Sequence, residues 1–321
     1  MTSNIDNSGR GNLLPIARDV IKHAKAGTMR KAKDVMRLPA SNYTDDNRFQ
    51  DELDNVIKRV PIVLGPSCEI PNPGDFKTIN VAGISLILTR TKDGKANALI
   101  NVCSHRGACL TKEEKGNSNR FSCPYHGWNF SNSGELIGIS SESDFGKIEK
   151  KNYGLKSLPI YESAGLIWAI MNPESEVDIP NFLSGYDNML ETFAFSDWNF
   201  VSKRTFKGPN WKIAYDGYLE YYHVPVLHRE TFGIDATNRG LYYTWGPHQH
   251  IKSPATEQGH IATETLGYLA DLIDKPENEW DTETLTYGVW TVFPSTSIAS
   301  FDAGGRGVLI SQILPGNKVD E

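Results

Sequence analysis

Of 321 residues, 39 % are hydrophobic, 22 % charged and 10 % aromatic, enough apolar mass for one large packed domain or two ordinary ones, and not the composition of a disordered chain. The 33 Lys and Arg stand against 39 Asp and Glu, and a formal charge of −6 weighs against a nucleic-acid binder. No run approaches the roughly 18 apolar residues that span a bilayer, the start is too polar for a secretory signal, and four cysteines are too few for a disulfide framework, so the chain reads as cytoplasmic.

The first 38 residues carry eight Lys and Arg among apolar residues at helical spacing (Leu13, Ile16, Ala17, Val20, Ile21, Ala24). A transit peptide shares part of that pattern but avoids acids such as Asp6, Asp19 and Asp34, so an ordinary packed helix over 13–36, ended by Leu38-Pro39, is expected. Asp45 to Arg59 spaces Phe49, Leu53, Val56 and Ile57 for a second helix. From Pro61 to about Pro173 the texture changes to short β-type runs, such as Ile84–Arg90 and Leu166–Met171, with turns at Asp93-Gly94 and Ser133-Gly134. Beyond 174 the pattern is mixed. Trp211–Leu227 and Leu266–Ile273 read as helices, and Gly288–Val292, Ser297–Phe301 and Gly307–Leu314 as strands. Turn chemistry at Pro315-Gly316-Asn317 follows the last strand with no returning partner, which reads as a fragment of a longer protein.

Two short loops carry chemistry. Cys103-Ser-His105 and Cys123-Pro-Tyr-His126 stand 17 residues apart, each able to aim two ligands at one centre. Two thiolates and two imidazoles suit zinc or a [2Fe-2S] cluster of the Rieske type, in which one iron takes two Cys and the other two His. Gly107 and Gly127 permit tight turns that aim backbone N–H groups at sulfides, and Pro124 and Trp128 would stiffen and shield the second loop. Cys109 and Cys68 have no such partner and read as small buried side chains.

A second group lies on NWKIAYDGYLEYYHVPVLH (210–228). On a regular helix Asp216 and His223 share a face, with Glu220 beside them; His223 and His228 do not, unless Pro225 bends the chain so that the rings converge. Two His and a carboxylate form the facial triad of non-haem iron oxygenases, while two His among Tyr215, Tyr218, Tyr221 and Tyr222 also fit a hydrogen-bonded core. These tyrosines could line a pocket or simply pack. His248, His250 and His260 follow in a polar stretch that reads as a solvated loop or lid.

Together NVCSHRGA, CPYHGW and the His223–His228 segment resemble the large (α) subunit of Rieske non-haem iron ring-hydroxylating oxygenases, from about Tyr43 to the end. The resemblance implies an α+β fold: a small antiparallel β Rieske domain at 60–172 and a helix-grip-like catalytic domain at 173–321, to which 1–59 also belongs. It implies that Cys103, His105, Cys123 and His126 hold the [2Fe-2S] cluster and that His223 and His228 hold a mononuclear Fe(II). Glu220 then takes the place of the bridging carboxylate between a cluster His of one subunit and an iron His of its neighbour, with Asp216 beside the iron. The family's third iron ligand lies far downstream, and only 93 residues follow His228. Asp302 is the fallback, though Gly304-Gly305 mark it as a turn residue, and the ligand is unassigned. The implied activity is O2-dependent mono- or dioxygenation, or oxidative demethylation, of an organic and typically aromatic substrate, as in aromatic hydrocarbon catabolism. NAD(P)H would supply electrons through a flavin reductase with or without a ferredoxin. A homotrimer, with or without a β subunit, is implied too. A Rieske electron carrier without a working iron site is the alternative.

Overall fold

The computed structural model describes residues 9–232, 238–253, 272, 275–302 and 306–321. Helix α1 (Gly9–Ala26) buries Leu13, Ile16, Ala17, Val20, Ile21 and Ala24 along one stripe. At about 1.5–3 kcal/mol for each large aliphatic side chain removed from water, that stripe is what holds the helix. It is shorter than the expected 13–36: Gly27 turns the chain at φ +62°, and Val35, Met36 and Leu38 beyond it are exposed. Two short helices follow, α2 (Ser41–Thr44) and α3 (Asp46–Glu52), the latter capped by the Asp45 carboxylate, which accepts from Arg48 N at 2.8 Å. A π-type turn over Leu53–Ile57 completes it.

Three antiparallel sheets make the first half. β1 (Ile62–Pro66) pairs with β10 (Leu166–Ala169), which pairs with β9 (Ile160–Ser163). β2 (Asp75–Val81), β3 (Ile84–Arg90), β4 (Ala96–Ile100) and β5 (Lys115–Asn117) form a second sheet in the order β4-β3-β2-β5. β6 (Arg120–Ser122), β7 (Asn129–Ser131) and β8 (Leu136–Gly138) form the third. One core lies among β1–β4 and β10 and includes Phe49, Leu53, Ile57 and Trp211; a smaller one holds Cys103, Cys123, Trp128 and Phe130. In the first half, Lys77 is buried with its Nζ donating to Leu64 O at 3.1 Å and paired with Glu69.

The second half is a five-stranded antiparallel meander of β11 (Leu241–Trp245), β12 (His248–Lys252), β13 (Val289–Val292), β14 (Thr296–Asp302) and β15 (Arg306–Gln312). Helices α4 (Ile179–Leu183), α5 (Tyr186–Leu190) and α9 (Thr282–Thr286) share a core with α1 and one face of this sheet. The mixed helix and antiparallel-sheet architecture is the one expected. Of the Leu266–Ile273 helix only the buried Leu272 falls within the described residues. After β15 the chain crosses to the first half. Gln312 donates to Val63 O at 2.6 Å, and Ile313, Leu314 and Val319 pack against the core around β1–β4.

The expected helix over Trp211–Leu227 is two helices, α6 (Trp211–Asp216) and α7 (Val224–Leu227), with α8 (Arg229–Phe232) after them. Asn210 caps α6, its side chain accepting from Lys212 N at 3.0 Å. Gly217 ends α6, and Pro225 sits in the first turn of α7, where no intrahelical N–H is needed. The seven residues between form turns that the sheet holds in place: Tyr221 Oη donates to Ile251 O at 3.2 Å and Gln249 to Leu219 O at 3.4 Å.

Candidate metal centres

The two Cys loops have different sequences and one backbone pattern. Cys103 N bonds Ala108 O at 2.8 Å and Gly107 N bonds Cys103 O at 2.9 Å; Cys123 N bonds Trp128 O at 2.7 Å and Gly127 N bonds Cys123 O at 3.0 Å. Each turn closes through a glycine at positive φ, +73° at Gly107 and +65° at Gly127, which a side chain would strain. Cys103 and Cys123 are buried. Burial pushes the Cys103 thiol up, and the backbone N–H groups of His105 and Arg106, hydrogen-bonded to the sulfur, oppose that.

His105 and His126 face each other, ring centroids 4.7 Å apart. The Nδ1 atom of each is buried and without a hydrogen-bond partner. Trp128 stacks on His105 at 4.8 Å with 6° between planes, and Tyr125 lies 3.7 Å from His126. Burial lowers the pKa of the His105 ring, with His126 and Arg106 adding to the effect. Two orphaned imidazole nitrogens beside two buried thiols are the donor set of a binuclear cluster. Among the described residues no three His, Cys, Asp or Glu are grouped to hold a single metal ion.

Asn101 is a site residue that the sequence reading missed. Its buried amide donates to Ser85 Oγ at 3.2 Å and Thr111 O at 2.8 Å, and accepts from Leu110 N at 3.0 Å and Thr111 N at 3.2 Å, clasping both ends of the first loop. Nothing local marks it, because its partners lie 9 to 16 positions away. Cys109, expected to be buried, is exposed, and its thiol donates to Thr111 O at 3.2 Å. Cys68 is partly buried.

In the second centre, the His223 and His228 rings lie 5.2 Å apart at 69°. Both oxygens of Glu220 serve His223: Oε2 accepts from its backbone N at 3.1 Å, and Oε1 pairs with the ring Nδ1. A carboxylate on one ring nitrogen fixes the tautomer and leaves Nε2 for a metal. Asp216 is not part of this group. It accepts from Tyr43 Oη at 2.8 Å on the exposed side of α6, because the break after it removes the shared helix face. Tyr215 is buried and Tyr221 is tied to the sheet, burial raising both phenols, whereas Tyr222 is exposed.

His248 and His250 belong to no loop. Both are wholly buried on β12. His248 accepts from Phe293 N at 3.2 Å, donates to Phe182 O at 3.3 Å, and is held neutral by burial at a pKa of about 4. His260 and the Asp302 side chain lie outside the described residues.

Residues 60–159 match the model of the Rieske [2Fe-2S] domain, and residues 195–319 that of the ring hydroxylating alpha subunit (catalytic domain). The chain thus carries a Rieske [2Fe-2S] domain followed by a ring-hydroxylating alpha-subunit catalytic domain. Similar proteins are the anthranilate 1,2-dioxygenase large subunit of Acinetobacter baylyi, 29 % identical over 60 % of this chain and 43 % of its own, and the carnitine monooxygenase oxygenase subunit of Escherichia coli, 31 % identical over 61 % and 53 %. The chain thus spans about half the length of the curated Rieske relatives it matches. The naphthalene 1,2-dioxygenase of Rhodococcus sp., bound to indole, shares the fold with a TM-score of 0.73 at 22 % identity, over 100 % of this chain and 76 % of that one.

Proposed function

We propose that the chain is the oxygenase component of a Rieske system, using O2 and electrons from a separate reductase to hydroxylate or oxidatively demethylate an organic substrate. The pair of buried, unpartnered Nδ1 atoms on His105 and His126 carries this reading. Cys103 and Cys123 would hold one iron of the cluster and His105 and His126 the other, while His223 and His228 would hold the mononuclear iron. When bound, the cluster stores and passes single electrons and the iron offers open positions to O2. Around them the chain's own groups act. The His105 and Arg106 amides bond to the Cys103 sulfur, which offsets negative charge there, and Trp128 covers the His105 ring from water. Glu220 orients His223.

The electron donor in this reading is a flavin reductase fed by NAD(P)H, with or without a ferredoxin, and the working assembly is a homotrimer. Exposed apolar groups beside each centre support docking there: Tyr125 at the cluster, and Tyr222, Val226 and Leu227 at the iron segment. Glu220 would face the neighbouring subunit's cluster histidine. Relatives named for anthranilate, salicylate, carnitine and glycine betaine bracket the substrate as a small aromatic or quaternary ammonium compound. The cluster unit is taken as 60–172 and the iron unit as 173–321, with α1 packed on the second and α3 on the first.

Metal and labile-sulfide analysis with the visible spectrum of the dithionite-reduced protein tests the reading. Two sulfides with about three irons per chain are expected. Two irons with a Rieske spectrum would make the chain an electron carrier, and a colourless zinc protein would refute the cluster altogether.

A further inference from the structure

Glu220 lies between two closures of the backbone. Leu219 N bonds Asp216 O at 3.0 Å on one side, and Val224 N bonds Tyr221 O at 3.1 Å on the other. The carboxylate that grips His223 is thus carried on the link between two turns. Its aim depends on where Leu219 and Tyr221 are held.

Both are held by β12. Tyr221 Oη donates to Ile251 O at 3.2 Å and accepts from Val289 N, so one phenol engages both members of the Ile251–Val289 pair. Gln249 Nε2 donates to Leu219 O at 3.4 Å, a longer and weaker bond. Gln249 and Ile251 are two positions apart, as are Leu219 and Tyr221, so the strand is a template for the residue between them. The template is itself fixed. Gln249 O accepts from Thr291 Oγ1 at 3.2 Å and from Tyr186 Oη, and the Tyr186 ring is stacked on His248 within the core shared with α1. A rigid support of this kind can hold a ligand-orienting group to its working geometry.

We propose that Tyr221, with Gln249 as its lesser partner, is a positioning residue for the mononuclear metal. Its phenol locks the Leu219–Tyr221 turn to β12 and so sets the angle at which Glu220 presents the His223 ring. The metal at His223 and His228 is taken from the oxygenase reading, on which this assignment rests. A phenol that only packed would do for stability what Tyr186 does, and nothing for the metal.

Tyr221→Phe and Gln249→Met each remove one tether and keep the size of the side chain. Tyr186→Phe removes a hydroxyl from the same strand without touching the turn. Ferrous iron affinity is measured by equilibrium dialysis of the cluster-containing protein, and amide hydrogen exchange over 217–224 by mass spectrometry before that iron is added. Tyr221→Phe should weaken iron about three- to tenfold and speed exchange by a similar factor, with smaller changes in Gln249→Met and no change in cluster absorbance. The nitric oxide adduct of the ferrous iron should pass from one EPR species to several, because a loosened carboxylate frees the His223 ring. Tyr186→Phe should melt lower and keep the iron affinity and the single species of the wild type. Unaltered affinity with a single species in Tyr221→Phe would overturn the assignment, and so would an equal loss of iron in Tyr186→Phe. Faster exchange in Tyr221→Phe, in a protein whose wild type takes up no iron at His223 and His228, would keep the lock on Glu220 and remove the oxygenase reading. Iron uptake and substrate turnover by the wild type, with unchanged exchange in Tyr221→Phe, would do the reverse.

Discussion

Around Cys103 and Cys123 the backbone hydrogen bonds that close the loops span five positions or fewer, whereas the His223–His228 segment is fastened through Tyr221 and Leu219 to a strand 30 positions downstream. The cluster loops are therefore shaped by local turns and stapled by Asn101 and by Ser104, whose hydroxyl donates to Tyr153 O at 2.6 Å. The iron segment takes its shape from the sheet beneath it. Local turns survive damage elsewhere in the chain, while a borrowed shape follows the element that lends it.

The largest break in this contrast comes from Cys123→Ser. It should abolish the Rieske absorbance and cluster iron while sparing metal at His223 and His228; loss of both irons together would mean that the centres are not independently built. Glu220→Ala comes next. It removes the carboxylate from His223 and should weaken iron binding about 10–100-fold with the visible spectrum unchanged. An unaltered iron content in equilibrium dialysis would remove Glu220 from its orienting role.

Asn101→Ala leaves the Leu110 and Thr111 amides without their acceptor and should cost about 2–4 kcal/mol in urea unfolding followed at the cluster band. A cost below about 1 kcal/mol would show that the turns hold the loop unaided.

The sheet side can be sharpened with pH. Lys252 titrates near 7 when folded and at its ordinary 10.5 when unfolded. Between those values the unfolded chain binds the extra proton, so the stability of the ligand-free protein rises with pH from about 7 to about 10.5. Among the described residues His250 is the titratable group facing Lys252; Leu241, Gly288, Ser300 and Val308 in its row carry no charge. Lys252→Met should flatten the rise, and an unchanged slope would assign it to other groups. Asp216→Asn is the smallest change: an exposed bond to Tyr43 is weakened, with an effect of about 1 kcal/mol or less and no change in iron content.

The same contrast explains what could be read from the sequence. Cys103, His105, Cys123 and His126 are legible because each loop brings its two donors together within four residues, and Gly107 and Gly127 announce the turns. The long helix over 211–227 is misread because its apolar spacing runs on past Gly217, and the bonds that break it come from Gln249 and Ile251. With the helix goes the face that Asp216 was to share with His223. His248 and His250 differ from expectation for the opposite reason: their polar run suggests a loop, although the alternation His-x-His-x-Lys is a strand period that puts three polar side chains on one buried face. Cys109 turns outward because the clasp of Asn101 on Leu110 and Thr111 sets the loop's exit.

The crossing of the chain after β15 bears on how the protein is made. Ile313, Leu314 and Val319 complete a core whose members from Phe49 to Ala98 are synthesised more than two hundred residues earlier. On the ribosome the cluster loops can form their turns early, but part of the apolar face behind them stays open to water and to chaperones until residues 313–319 emerge. Consolidation of the cluster unit then waits on the sheet that carries β15.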